Sequence, residues 1–299
     1  MDSTALIASV KRRASIPTTQ ATLSTTDLLG IADEETLGYV MPILRDARED
    51  YGIAAYEVPI QDGVLVYRLP PRALAGVLRE LMAIRLDGTA FNLPRIAYGQ
   101  ISYSSGPGFT TDGNTIVLVT DQPGNVTTLG TTLRMTYYQR PSSLVVTSAV
   151  GTVSSFNTGT NAVTLSAAPP GTFTTAVKYD LVRAGSPFET LATDLVATTV
   201  VGSTLTFTSA LPSDLGVGDY VTLAGQTAVP QVPVELHPLL CQSVAVKILH
   251  GMCDYDAVDK QTAELMRMEG SIRKLLTGRV EEEPMRVVSR SNPFRNPWW

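Results

Sequence analysis

Apolar positions recur at helical spacing near both ends of the chain and at a spacing of two between them. Residues 2–13 form a short amphipathic stretch, broken by Ile16-Pro17. Ser24-Thr25-Thr26-Asp27 then offers cap hydroxyls with an acid three residues on. Leu28, Ile31, Ala32, Leu37, Val40, Met41 and Leu44 follow at helical spacing, which predicts a helix over 27–50. Asp33-Glu34-Glu35 near its start and Arg45 and Arg48 near its end suit the helix dipole. Pro42 predicts a kink or a second start, and Gly52 a C-terminal cap.

From Tyr56 the period is two. Tyr56, Val58 and Ile60 alternate with polar or proline neighbours, Asp62-Gly63 marks a hairpin turn, and Val64 to Tyr67 returns. Pro70-Pro71-Arg72 is punctuation. Val77–Leu86 reads as a strand with Arg79 and Arg85 interleaved among Leu78, Met82 and Ile84, turned by Asp87-Gly88. Thr115–Thr120 and Leu133–Gln139 are further strands.

Residues 144–228 change the picture, with 7 charged residues and 17 threonines, a composition that suits pleated, half-buried strands. They hold an internal repeat of about 41 residues: 161–170 lines up with 203–212, a tyrosine strand follows in each copy (Tyr179, Tyr220), and each copy ends in Ala-Gly (184–185, 224–225). Val163 and Leu165 point one way while Thr164 and Ser166 point the other, and Leu205 and Phe207 repeat this, which predicts one small barrel or sandwich. After Pro230 and Pro233, Val234–Met252 reads as a helix, with Leu236, Leu240, Val244 and Ile248 at steps of four. Asp254-Tyr255-Asp256 turns and recaps. Thr262–Leu276 is a second helix with Leu265, Met268, Ile272, Leu275 and Leu276 on its stripe, ended by Gly278. Residues 279–299, with three glutamates, four arginines, three prolines and the terminal Trp298-Trp299, predict an extended arm.

The fold class is therefore α+β: a discontinuous helical core from 1–55 and 230–278, a β region over 56–143, a Thr-rich β-barrel or sandwich insert over 144–229, and an extended C-terminal arm over 279–299. Charged residues are 17% of the chain, against a usual ~25%, and the net charge of -5 repels rather than grips nucleic acid and anionic membrane. Any DNA contact is expected to be transient or local. Cys241 and Cys253 read as buried free thiols of a reducing compartment. No signal peptide and no membrane-spanning run is expected, because the longest apolar stretches fall short of ~18 residues.

The catalytic inventory is empty. His237 and His250 have no third ligand at metal spacing, and Asp254, Asp256 and Asp259 lack the glycine and glutamate of a calcium loop. No phosphate-cradling glycine loop and no GxSxG elbow occurs; Ser104-Ser105-Gly106-Pro107-Gly108 is a loop. The reading is no enzyme, no cofactor and no metal. Lys11-Arg12-Arg13 reads as a solvated helix end. The arm is the most informative feature: Phe294, Trp298 and Trp299 are anchors for pockets on another chain, with Arg286, Arg290 and Arg295 pairing to acids there.

Several segments resemble the head-to-tail connector (adaptor) proteins of tailed bacteriophages. They are Ile16-Pro17 through Thr25-Thr26-Asp27-Leu28-Leu29, Ala32-Asp33-Glu34-Glu35, Tyr67-Arg68-Leu69-Pro70-Pro71-Arg72-Ala73, Ala224-Gly225-Gln226, and 230–240 from Pro230-Gln231-Val232-Pro233 to Leu240. The resemblance covers both ends of the chain and part of the β region, and no active site is carried over. It implies a homo-oligomeric ring, usually of twelve copies, at the head–tail junction of a virion assembled in the host cytoplasm. The ring would dock on the portal protein, meet a tail or nozzle protein, pass double-stranded DNA without specific binding, and contact no membrane. The alternative from another class is a tail-fibre or receptor-binding β-module protein, which the Thr-rich region allows.

Overall fold

The computed structural model describes residues 1–17, 23–97, 99–100, 106–120 and 129–276. Gly278 and the whole arm, with Arg286, Arg290, Phe294, Arg295, Trp298 and Trp299, lie outside the described residues, as do Ser104 and Ser105. The described residues form five α-helices and fifteen strands, a mixed α+β architecture with one closed barrel.

Asp2 starts α1 (Ser3–Arg13) by accepting the Ala5 N–H at 2.7 Å. A capping box starts α2 (Thr25–Glu35): Ser24 and Asp27 each bond the other's backbone N–H at 3.1 Å. A single π-helical stretch, Thr36–Val40, separates α2 from α3 (Met41–Ala47). Pro42 has no N–H to give the Gly38 carbonyl, so the predicted helix is interrupted there. The helix also stops before Gly52: Arg48 is the C-cap, and Gly52, at φ +70, instead turns the chain into the first strand. A 3₁₀ turn at Val234–Leu236 leads into α4 (His237–Gly251), and α5 (Tyr255–Leu276) follows. Leu239, Leu240, Val244, Ala245, Ile248 and Leu249 of α4 are buried against Leu6 and Val10 of α1, Leu28, Leu29 and Ala32 of α2, and Met41, Ile43 and Leu44 of α3. Both ends of the chain thus share one core, with Ile272, Leu265 and Met268 of α5 packed on its side. Leu275 was expected on that stripe but is 64% exposed.

The β region is a sandwich of a four-stranded and a three-stranded antiparallel sheet. Its strands are β1 (Ile53–Pro59), β2 (Val66–Arg68), β3 (Ala73–Ile84), β4 (Ala90–Asn92), β5 (Gly108–Asp112), β6 (Thr115–Val119) and β7 (Thr132–Gln139). The sheet orders are β1-β7-β3-β4 and β2-β6-β5. Asp62-Gly63 does turn the chain, with Gly63 at φ +74, but it does not close a hairpin. β1 pairs with β7 (Tyr56 opposite Met135) and β2 with β6 (Tyr67 opposite Ile116), so the turn passes the chain from one sheet to the other. The inward face of β3 also differs from the expectation. Ala75 and Gly76 take positive φ, the register slips, and Leu81 and Ala83 become fully buried while Met82 and Ile84 face outward.

β8 (Ser143–Leu144) leads out of the sandwich and β15 (Gln226–Thr227) leads back, paired in parallel. Between them lie β9 (Gly151–Asn157), β10 (Ala162–Leu165), β11 (Lys178–Val182), β12 (Thr190–Val201), β13 (Thr204–Phe207) and β14 (Tyr220–Leu223). They close an antiparallel barrel in the order β10-β13-β12-β11-β14-β9. Exchanging β9, β10 and β11 for β12, β13 and β14 carries that order onto itself, so the sequence repeat is an internal two-fold. The repeat-related Val163 and Leu205 are paired across it, both fully buried. The centre is filled by Tyr179, edge-on to Phe173 at 5.1 Å and Phe207 at 5.9 Å. Gly151 admits Leu165, whose Cδ1 lies 2.5 Å from where a Cβ at 151 would be.

Candidate functional site

The best-built polar site is the joint where sandwich, barrel and helices meet. Along β11, Tyr179 and Leu181 point into the barrel, so alternation turns Asp180 and Val182 outward. Both are nevertheless fully buried, because the sandwich and the β15 turn cover that face. Asp180 accepts four hydrogen bonds: Arg72 Nη1 to Oδ2 at 2.5 Å, Arg72 Nη2 to Oδ1 at 2.9 Å, Asp194 N at 3.0 Å and Gly225 N at 2.8 Å. Arg72 enters from the turn before β3, where Pro70-Pro71 restricts the backbone and the Arg72 carbonyl accepts Arg140 N–H at 2.8 Å. Asp194, at φ +58 in a bulge of β12, adds a carboxylate oxygen 3.3 Å from Arg72. Burial works against the Arg72 charge, but the bonds and charge of Asp180 outweigh it and hold the guanidinium more firmly protonated than usual. A buried ion pair is tolerated when its polar atoms are satisfied in this way.

A second acid, Asp219, sits at the other Ala-Gly, before its tyrosine where Asp180 follows its own. Asp219 accepts Ala184 N at 3.0 Å and Gly216 N at 2.8 Å, while Asp180 accepts Gly225 N. Each copy's aspartate therefore ties down the other copy's Ala-Gly, but only Asp180 also takes an arginine from outside the barrel. The sequence reading found the tyrosines and the Ala-Gly pairs and passed over these acids. Their signal was a carboxylate beside a tyrosine in a strand otherwise poor in charge.

Three further residues, Asp33, Gln231 and Ser3, fix the barrel stem. Both oxygens of Asp33 accept the Leu144 N–H, at 2.9 and 3.1 Å. Burial raises the Asp33 carboxyl to about 6, partly opposed by that bond. Gln231 accepts Ser142 N–H at 2.8 Å and donates to Thr190 Oγ1 at 2.7 Å, and Ser3 N–H donates to the Ala228 carbonyl at 2.7 Å. His237 donates through Nε2 to the Val232 carbonyl at 3.1 Å, under the Phe188 ring at 5.0 Å. Burial holds it down to about 4, so it is neutral at pH 7 and reads as a structural histidine. A cavity of about 480 Å³ opens at the joint, lined by Arg48, Tyr51, Gln139, Arg140, Phe188 and Glu189. Burial there pushes the Tyr51 hydroxyl up to about 12.

The other sequence candidates disperse. His250 ends α4, edge-on to Tyr255 at 6.2 Å. Asp254 caps α5 through Ala257 N–H at 3.2 Å. Among the described residues no three acidic, histidine or cysteine side chains cluster at metal-binding distance, and no helix is long and apolar enough to cross a membrane. Cys241 is buried, but Cys253 is exposed in the α4–α5 turn at φ +59, because the helix ends before it. Of the basic triplet, Arg13 is no free end: it donates to Gln242 Oε1 at 2.7 Å. No protein-family model matches the chain, and no curated protein matches it.

Proposed function

We propose that the chain is a ring-forming adaptor of a tailed phage, joining the portal vertex to the tail and forming part of the DNA channel. The observation that carries this reading is that the segments resembling connector proteins converge on the joint. Asp33, Arg72, Gly225, Gln231 and His237 come from four such segments; Asp33, Arg72 and Gln231 bond between helices, sandwich and barrel, Gly225 bonds Asp180, and His237 holds the Val232 carbonyl on the approach to α4. A joint centred on a buried Asp180 that accepts four hydrogen bonds suits a part that carries load between neighbours. In this reading the arm residues Phe294, Trp298 and Trp299 dock on the portal or a neighbouring adaptor. Negative-stain imaging and native mass of the pure protein, with and without portal, test it. A ring with an open channel is expected, and a monomer with and without portal overturns it.

One observation favours the receptor-binding alternative. Val201, the last residue of β12, is 72% exposed, and Val217 in a barrel loop is 71% exposed. An elongated trimer in the same images decides for that alternative.

A further inference from the structure

Most of the described arginines are partnered. Arg48, Arg72, Arg134, Arg183, Arg267 and Arg273 form ion pairs, Arg13 and Arg95 donate to Gln242 and Thr111, and Arg45, Arg79 and Arg85 lie over aromatic rings. Three make no side-chain hydrogen bond, ion pair or ring contact to another described residue: Arg12, Arg68 and Arg140. Two of these three, Arg68 and Arg140, line the same cleft. It has a volume of about 500 Å³, a wall of Leu69, Pro70, Pro71 and Ala73, and Asn114 and Thr115 beside Arg68 and Leu69. Both guanidiniums are exposed and no acidic side chain lines the cleft. Two like charges facing one space repel, so the cleft is built for an anion with some apolar neighbourhood.

We propose that this cleft holds the acidic run Glu281-Glu282-Glu283, with Pro284, from the same chain. Charge complementarity is the first argument. The chain has two runs of three acids, and the other, Asp33-Glu34-Glu35, is already engaged through Asp33 on Leu144 and Glu35 near Lys247 at 3.5 Å. The second argument is where α5 ends. Arg273, in its last turn, bonds Asp46 at 2.9 Å, placing the end of α5 beside the end of α3. Six residues on from Asp46, the Gly52 carbonyl accepts Gln139 N–H at 2.7 Å, next to Arg140. Arg140 lines both the joint cavity and the cleft. Residues 277–281 reach at most about 18 Å in extended form, which bounds how far from Leu276 the glutamates can sit. Binding within one chain also has a high effective concentration. The glutamates would clip the arm's root to its own sandwich and leave Arg286 to Trp299 free to reach another chain. This goes beyond the adaptor reading and does not depend on it.

The test uses the full chain in a Cys253→Ser background. Asn114→Cys with Pro284→Cys should close a disulfide within one chain at least about tenfold faster than the control pair Asp87→Cys with Pro284→Cys at the β3–β4 tip. Equal rates, or closure only between two chains, would overturn the proposal. A second measurement needs no cysteine pair. Arg68→Glu with Arg140→Glu should speed tryptic cleavage after Arg279 about tenfold in the parent but not in a Glu281→Gln, Glu282→Gln, Glu283→Gln background, which adds no tryptic site; unchanged cleavage in the parent refutes the clip. Binding of a 20-base-pair DNA duplex, lost in the double arginine variant but equal with or without residues 277–299, would show that the cleft takes phosphodiesters instead. Failure to form rings leaves these readouts unaffected.

Discussion

The barrel and the helical core solve the same burial problem in opposite ways. The barrel closes within residues 151–223: each strand pairs with two others, no edge is left, and the interior is apolar with Tyr179 at its centre. The helical core has no such local closure. Its central helix, α4, is buried only because α1, α2 and α3 arrive from the other end of the chain. A closed sheet can satisfy its backbone and its core from one stretch of sequence, whereas a set of short helices needs every partner present. The barrel is nevertheless tied in, through a carboxylate that its own fold does not neutralise.

That tie gives the largest expected effect. Arg72→Ala leaves Asp180 buried without its counter-charge and should cost about 3–5 kcal/mol; adding Asp180→Asn should restore part of it. Denaturant unfolding measures both, and a cost under about 1 kcal/mol would show that the joint is not coupled to barrel stability. Next, Leu205→Ala and Leu240→Ala should each cost about 2–5 kcal/mol, one in the barrel and one in the helices. Amide exchange should then rise in the barrel alone for the first and in the helices alone for the second. Exchange rising everywhere in both variants would erase the distinction between the two regions. Gly151→Ala is smaller, about 1–3 kcal/mol, because its Cβ must displace Leu165; a neutral result would show that the barrel wall yields.

The smallest effects are those of pH. His237 is held at about 4, below its ordinary 6.5, so its neutral form contributes stability above pH 6.5 that is lost as pH falls toward 4. Asp33 is raised to about 6 from 3.8, so its contribution is full below pH 3.8 and lost as pH rises toward 6. The two slopes oppose each other across the shared window. Asp33→Asn should therefore steepen the loss of stability on acidification from pH 6.5 to 4.5, and His237→Gln should flatten or reverse it, each by on the order of 1–2 kcal/mol relative to the parent. Parallel stability–pH curves for all three proteins would remove both assignments.

Much of this was legible in the sequence. Periodicity and capping chemistry located the helices, because an amphipathic stripe and a Ser24/Asp27 box are local facts. The repeat over 144–228 identified a symmetric β unit, and alternation named Val163, Leu165, Leu205 and Phe207 as its interior. Choosing a barrel over two packed sheets needed the pairing of β10 with β13 and β11 with β14, contacts between copies that no local pattern encodes. Asp62-Gly63 illustrates the same limit. Turn residues fix the backbone reversal, but which sheet receives the next strand depends on hydrogen-bond partners far along the chain. The joint was least legible. Arg72 read as punctuation and Asp180 carried no signal of its own, since each is explained only by the other across 108 residues of sequence. The elements, the repeat and the apolar faces are local, because they follow from side-chain period and backbone preference. Which faces meet, and which buried charge finds its partner, are set by long-range pairing that local chemistry does not specify.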